Sequence, residues 1–226
     1  MLQPNSSIKS WPKDERPREI LLDKGADHIS DAGLVAILLR SGVKGKDAVS
    51  LSRELIVHFG SLRGLLSAGK DDLMKVKGLG QAKVSQLLAV IEVAKRVLKE
   101  SIEGKNYIRN KEDVLKYLSL SMKDLKVEFF KVIFLDQSHG ILQIEELCKG
   151  TVNETVVYPR EVVKRALDLN AAAVIFVHNH PSGNPAPSAK DLALTKRLFE
   201  ACRNIDITPL DHLIVAGNSI ERVVFS

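Results

Sequence analysis

The sequence predicts a two-domain α+β protein, with an all-helical N-terminal domain at residues 1–100 and a layered α/β domain at residues 112–226. Apolar residues recur at helical spacing before residue 100, whereas apolar β-branched runs alternate with helical patterns after residue 111. The polar, charged segment 101–111 lies between these regions, and we interpret it as a linker. With 226 residues, 45% of them hydrophobic, the chain can form both cores.

Charge divides the chain in the same place. Residues 1–100 contain 17 Lys and Arg against 12 Asp and Glu, while residues 101–226 contain 16 of each. The whole net charge of +5 therefore lies in the first part. This distribution implies a basic N-terminal domain attached to a neutral C-terminal domain.

Residues 71–97 predict a helix, a Gly-Leu-Gly turn and a second helix, which is similar to a helix-hairpin-helix motif. Gly78 and Gly80 allow a sharp turn and a close approach to phosphate, and the following helix offers free N–H groups at its start. The turn is flanked by three lysines, Lys75, Lys77 and Lys83. We expect non-sequence-specific DNA contact with strong salt dependence. Packing, or contact with another protein, is the alternative use of such a turn.

In the C-terminal domain, residues 171–177 (AAAVIFV) form a continuous apolar run that predicts a buried strand. His178 and His180 follow it directly. Because strand side chains alternate, an i, i+2 pair of imidazoles emerges on one face, where both can bind one ion.

Asp191 is the natural third ligand of such a site. Residues 181–187 contain three prolines and a glycine, so they predict a loop that can return Asp191 to the histidines. Zinc in catalytic sites takes three protein ligands of these types. However, Ser188 and Asp191 also have the spacing of a capping box at the start of a helix over residues 189–202. The spacing favours a metal site without excluding the cap.

The Glu…His-x-His-Pro…Ser-x-x-Asp pattern resembles the JAMM signature of JAB/MPN-type zinc metalloproteases. The stretch HNHPSGNPAPSAKD at residues 178–191, with TVNETVVYPREVVKR at 151–165 and RPREILLDKGADHISDAGLVAILLRSG at 16–42, resembles the RadC family in particular. The resemblance covers nearly the whole chain. It implies a JAB/MPN-like, cytidine-deaminase-like layered sheet in the second domain.

The resemblance also implies a role for each site residue. Zinc would be held by His178, His180 and Asp191, with Ser188 donating a hydrogen bond to the developing oxyanion. The upstream glutamate of the family corresponds to Glu128, as general acid/base, directly before a predicted strand over residues 129–135 (FFKVIFL). An exposed charge at a strand end is the alternative interpretation of Glu128.

Other titratable residues compete for these roles. Three carboxylates are rivals of Glu128, namely Glu145, Glu146 and Glu154. Glu145 and Glu146 are adjacent in a predicted strand, so only one of them can face inward. His212 is expected to support the core, and orientation of a zinc ligand is its alternative role.

The resemblance implies a zinc metallohydrolase that acts on a protein or peptide substrate by peptidase or isopeptidase chemistry. An association with DNA repair comes with the family. A metal-dependent nuclease and a non-catalytic DNA-binding adaptor are the two alternatives. The sequence does not specify the oligomeric state.

Cysteine usage and hydropathy predict a cytoplasmic location. Cys148 and Cys202 lack metal-ligand spacing, so we expect reduced packing residues. The apolar runs are shorter than the roughly 18 residues that span a bilayer, and no signal peptide is evident. No membrane partner is expected.

Overall fold

The computed structural model describes residues 8–149 and 157–224. Contacts divide the chain into two compact units, Met1–Ala94 and Lys95–Ser226. The first unit is helical and the second combines helices with a five-stranded mixed sheet. The predicted fold class is therefore confirmed.

The first unit consists of short helices and the beginning of a long one. They are α1 (Pro17–Lys24), α2 (Asp31–Leu39), α3 (Ala48–His58), α4 (Leu62–Ser67), α5 (Lys70–Met74) and α6 (Gln81–Ile102). Ser30, Asp47 and Ser61 cap α2, α3 and α4, because each side-chain oxygen accepts hydrogen bonds from amides of the first turn. These caps explain why helices of only six to eleven residues start where they do.

One apolar core holds these helices together. Its buried members are Val35, Leu39, Leu51, Leu55, Leu65, Leu73, Leu79, Val84 and Leu87. Burial of each such side chain contributes about 1.5–3 kcal/mol relative to exposure. Leu79 comes from the turn between α5 and α6, so this turn is anchored in the core.

The second unit contains the remaining elements. They are α7 (Lys111–Met122), β1 (Phe129–Leu135), β2 (Ile141–Lys149), α8 (Pro159–Asp168), β3 (Ala173–Asn179), α9 (Ala189–Arg203), β4 (Thr208–Ala216) and β5 (Ser219–Arg222). The strand order is β2-β1-β3-β4-β5. Only the pairing of β3 with β4 is parallel; the other three are antiparallel.

Both faces of the central strands are covered. Ile133, Ile175 and Val177 belong to a core that includes Val114 and Leu118 of α7. The alternate residues of β1 and β3 belong to a core shared with α8 and α9. All seven residues of β3 are buried, which explains why its sequence is a continuous apolar run rather than an alternating one.

The segment predicted to be a linker is packed rather than extended. Its first residues complete α6, and Ile102 is fully buried in the core of the second unit. Tyr107 is buried in the same core. The apolar side chains of this otherwise polar segment explain the difference, because two buried anchors are enough to fix it. Within residues 8–149 and 157–224, no helix is long and apolar enough to cross a membrane.

Candidate metal centre and predicted DNA-binding turn

Three side chains meet where β3 ends and α9 begins. His178 is in β3, His180 follows it, and Asp191 lies in the first turn of α9. The Nε2 atoms of the two histidines are 2.9 Å apart. Oδ1 of Asp191 is 3.3 Å from Nε2 of His178, and Oδ2 is 3.4 Å from Nε2 of His180. Three potential ligand atoms thus converge within 4.8 Å of one another.

The other ring nitrogen of each histidine is already bonded to the protein. Nδ1 of His180 lies 2.7 Å from the carbonyl oxygen of Asn184, which can only accept, so this nitrogen donates. Nδ1 of His178 lies 2.8 Å from Nε2 of His212. When His180 is neutral, its Nε2 therefore presents a lone pair to the space shared with His178 and Asp191. Two imidazole nitrogens and a carboxylate match the ligand preferences of zinc.

Asp191 forms the helix cap and is also positioned for the metal-ligand role that its spacing allowed. Oδ2 accepts hydrogen bonds from the backbone N–H of Ser188 at 2.7 Å and from the Ser188 hydroxyl at 2.6 Å. The N–H of Asp191 donates in return to Oγ of Ser188, which completes the capping box. The cap fixes the carboxylate with Oδ1 toward His178. Helix capping and metal ligation are therefore compatible at this residue.

The charges of the site favour a cation. Burial alone raises the pKa of Asp191, but contacts with His178, His180 and Ser188 outweigh it and hold the pKa well below its usual range. The Asp191 carboxylate in turn raises the pKa of His180, although burial opposes the shift. An ionised carboxylate beside two imidazoles attracts either a proton or a metal ion.

Glu128 lies beside the histidines, immediately before β1. Phe130 of β1 pairs with His178 of β3. Continuing this antiparallel register by two residues places Glu128 opposite His180, on the same face. The half-buried Glu128 also contributes to the raised pKa of His180, so its charge acts on the site.

Asn179 holds the backbone on either side of Glu128. Its Oδ1 accepts a hydrogen bond from the N–H of Phe129 at 2.8 Å, and its Nδ2 donates to the carbonyl of Val127 at 3.1 Å. The amide side chain, 1% exposed, acts like one more peptide group of β3. This role was not predicted from the sequence, although a polar residue at the buried end of an apolar strand is a signal for it.

His212 and the aromatic rings form the inner wall of the site. His212 is fully buried, and this burial lowers its pKa well below the usual value. The ring of Phe130 lies parallel to that of His178, with centroids 6.3 Å apart, and packs edge-on against His212. The burial of His212 fits the expected core-supporting role, and its direct contact with His178 also places it for the alternative, ligand-orienting role.

The rival carboxylates are engaged elsewhere or lie outside the site. Glu145 binds Arg165 of α8, with both carboxylate oxygens within 2.9 Å of Nε. Glu146 is exposed and opposite Lys131, on the other face of β2. Glu154 lies outside the described residues. Neither described rival is engaged with the histidines, whereas the charge of Glu128 acts on His180.

The predicted DNA-binding turn has the expected helix, turn and helix. It connects α5 to α6, and Gly78 has a φ of +99° that favours glycine. A Cβ at Gly78 would lie 3.0 Å from Cγ1 of Val43, whereas one at Gly80 would meet no atom within 4 Å. Gly78 is therefore required by the turn itself, and Gly80 faces open space.

The three lysines of the turn differ in their surroundings. Lys77 is exposed, and Lys75 is exposed with an ion pair to Asp72 at 3.2 Å. Lys83 instead donates to the carbonyls of Gly42 at 2.9 Å and Gly78 at 3.4 Å. Burial lowers the pKa of Lys83. Its ammonium group stabilises the turn rather than extending into solvent, which sequence spacing did not reveal.

Comparison with known proteins places this geometry in a family. Residues 108–225 match the RadC-like JAB domain, and residues 8–85 match the UPF0758 N-terminal domain. The chain belongs to the RadC family. A UPF0758 protein of Herminiimonas arsenicoxydans is 47% identical over 214 residues, which cover 95% of this chain and 96% of that protein. One of Saccharophagus degradans is 49% identical over 220 residues, 97% of each chain.

The two RadC-family matches include both candidate sites. All the residues of the metal centre fall within 108–225, and the turn with its lysines falls within 8–85. The resemblance found in the sequence is thereby confirmed. The zinc ligands, the roles of Glu128 and Ser188 and the DNA contacts of the turn all stay predictions, since the relatives are named only as UPF0758 proteins.

Proposed function

We propose that this RadC-family protein is a zinc-dependent hydrolase of peptide or isopeptide bonds. The main support for this proposal is the convergence of two histidine Nε2 atoms and an ionised carboxylate. The Nδ1 atom of each histidine is hydrogen-bonded within the protein. Zinc would be held by His178, His180 and Asp191. A site with three protein ligands leaves a further position for reactants.

The surrounding residues supply the remaining chemistry. Bound zinc contributes Lewis acidity, which polarises a carbonyl and makes water a better nucleophile. Glu128, opposite His180, accepts the proton of the attacking water and delivers it to the leaving amine. Ser188 rotates its hydroxyl from Asp191 to the developing oxyanion. Phe130 and Phe176 pack around the buried imidazoles and limit access of solvent to this wall.

Elemental analysis of purified protein tests the metal site. We expect stoichiometric zinc in the wild type and loss of zinc in His178→Ala/His180→Ala. His28→Ala, which removes an exposed histidine of the first unit, is the matched control and should retain the metal. A double variant that binds zinc as well as the wild type would contradict the proposed ligand set.

Glu128→Gln separates binding from chemistry. This variant should keep its zinc but lose about 10²–10⁴-fold in hydrolysis of a peptide or isopeptide library, because the general base is gone. The same preparations are assayed on single-stranded and branched DNA. Zinc-dependent DNA cleavage without peptide cleavage would support a nuclease instead. Absence of both activities in a zinc-loaded protein would favour the adaptor alternative.

We also propose that the α5–α6 turn attaches the protein to DNA and links it to repair or recombination. The exposed Lys75 and Lys77 and the open space at Gly80 support this proposal. Phosphate oxygens would accept from backbone amides at the start of α6, while the lysines add charge. Lys83 holds the turn in shape. Binding without sequence preference is expected.

A further inference from the structure

We propose that His212 and Thr195 determine which ring nitrogen of His178 carries the proton, and thereby keep its Nε2 available to a metal ion. This inference rests on the proposed metal site and adds two positioning residues to it. Neither residue is a ligand. They act through a chain of hydrogen bonds that runs from α9 through β4 to β3.

The chain begins with the single proton of the Thr195 hydroxyl. Oγ1 of Thr195 lies 2.6 Å from the carbonyl oxygen of Asp191 and 2.6 Å from Nδ1 of His212. A carbonyl oxygen only accepts, so the hydroxyl proton points toward Asp191; otherwise two oxygen lone pairs would face each other at 2.6 Å. Oγ1 is then an acceptor for His212, and Nδ1 of His212 carries a proton.

The second link fixes the opposite nitrogen of His212. The ring is completely buried, which disfavours the doubly protonated, charged form. With its one proton on Nδ1, His212 presents an unprotonated Nε2 to Nδ1 of His178, 2.8 Å away. Nδ1 of His178 must therefore donate. The remaining nitrogen, Nε2, has a free lone pair directed at His180 and Asp191.

Helical spacing explains why Thr195 is the residue that controls this chain. Thr195 follows Asp191 by four positions in α9, so both side chains lie on the same face, one turn apart. Asp191 supplies a ligand carboxylate, and its carbonyl takes the Thr195 proton. The first two turns of α9 thus position the ligand Asp191 and also determine which ring nitrogen of His178 carries the proton.

The zinc affinities of two Thr195 variants test this chain of hydrogen bonds from Thr195 through His212 to His178, which we call the relay. Thr195→Val removes the hydroxyl at nearly constant volume, so His212 loses its acceptor and can place its proton on Nε2 instead. That change would force a proton onto the metal-binding nitrogen of His178. We expect zinc affinity, measured by competition with a chelator, to fall about 10–100-fold. Thr195→Ser keeps the hydroxyl and should restore affinity to within about threefold of the wild type.

Nitrogen-15 NMR of the imidazole rings shows which ring nitrogens carry protons, and so tests the relay in the wild-type protein. In metal-free wild-type protein, His212 should be protonated at Nδ1 and unprotonated at Nε2, and zinc should not change this. A proton on Nε2 of His212 would contradict the relay. Equal zinc affinity of the wild type and both Thr195 variants would also contradict it. Failure to bind zinc at all contradicts the proposed function instead, while the His212 tautomer still decides the relay.

Discussion

Asn179 shows how one side chain can position the proposed general base, Glu128, through the backbone on either side of it. It lies between the two histidines in sequence, yet its amide binds the backbone of residues 127 and 129. These bonds hold the chain before β1 against β3 beyond their last register pair, Phe130 and His178. The position of Glu128 relative to His180 therefore depends on Asn179.

Asn179→Ala should destabilise the second unit by about 1–3 kcal/mol, because the Phe129 N–H loses its acceptor. Zinc content should be unchanged, since no ligand is altered. Urea unfolding followed by near-UV circular dichroism measures the effect, as all three tyrosines lie after residue 94. Asn204→Ala, at an exposed position, is the control and should change stability by less than about 0.5 kcal/mol. If Asn179→Ala had the same free energy of unfolding as the wild type, this role of Asn179 would be contradicted.

The residues that the sequence predicted correctly to lie together are those related by local spacing. His178 and His180 share a strand face, and the proline-rich loop returns Asp191 to them. By contrast, the contact between His178 and His212 joins residues 34 positions apart, so it depends on how β4 pairs with β3. The acceptor for His180 is a backbone carbonyl, which no residue type reveals.

At the scale of elements, strand and helix limits followed from composition where burial is complete. The apolar run of β1 was predicted with the limits that the structure has, and the predicted helix over residues 189–202 is one residue shorter than α9. The predicted strand over residues 171–177 has the length of β3 but is shifted by two residues toward the N-terminus. His178 and Asn179 are polar but complete the strand, because their hydrogen-bonding groups are satisfied inside the domain.

The turn between α5 and α6 offers a matched pair of glycine substitutions. Gly78→Ala should destabilise the first unit by about 1–3 kcal/mol, because it places a side chain at positive φ and against Val43. Gly80→Ala should leave stability within about 0.5 kcal/mol. Fluorescence of Trp11, the only tryptophan, reports unfolding of this unit.

The same pair tests DNA contact at the turn. The added methyl of Gly80→Ala should obstruct the approach of phosphate to the backbone and weaken DNA binding about tenfold, the effect of losing one hydrogen bond to a charged group. Unchanged affinity in this folded variant would show that DNA, if bound, does not contact Gly80. Fluorescence anisotropy of a labelled duplex is a suitable measurement.

At the scale of the whole molecule, the uneven charge distribution predicts where a polyanion binds. Lys75→Glu/Lys77→Glu should weaken DNA binding. Each lost phosphate contact should make the negative slope of log affinity against log salt less steep by about 0.9. Lys105→Glu/Lys196→Glu makes the same charge change at exposed positions of the second unit and is the control. Equal losses in both variants would mean that net charge, rather than the turn, governs binding.

The two-part organisation was also predictable from the whole sequence, but its limits were not. Hydrophobic periodicity changes near residue 100, whereas the compact units divide between residues 94 and 95, inside α6. A polar composition does not exclude packing, since Ile102 and Tyr107 anchor the segment that follows this helix. Such isolated anchors carry too little periodicity to be recognised in advance.

Because Asp191 lies both at a helix start and at the candidate metal centre, the thermal stability of the protein should depend on which ion it binds. Any ion that prefers the folded site stabilises the fold by RT ln(1 + [L]/Kd), about 2.7 kcal/mol at a concentration of 100 Kd. The melting temperatures measured with a series of divalent cations, each at the same concentration, would therefore rank the affinities of the folded protein for these ions. Even before a substrate is found, calorimetry can identify the ion that this fold accommodates best.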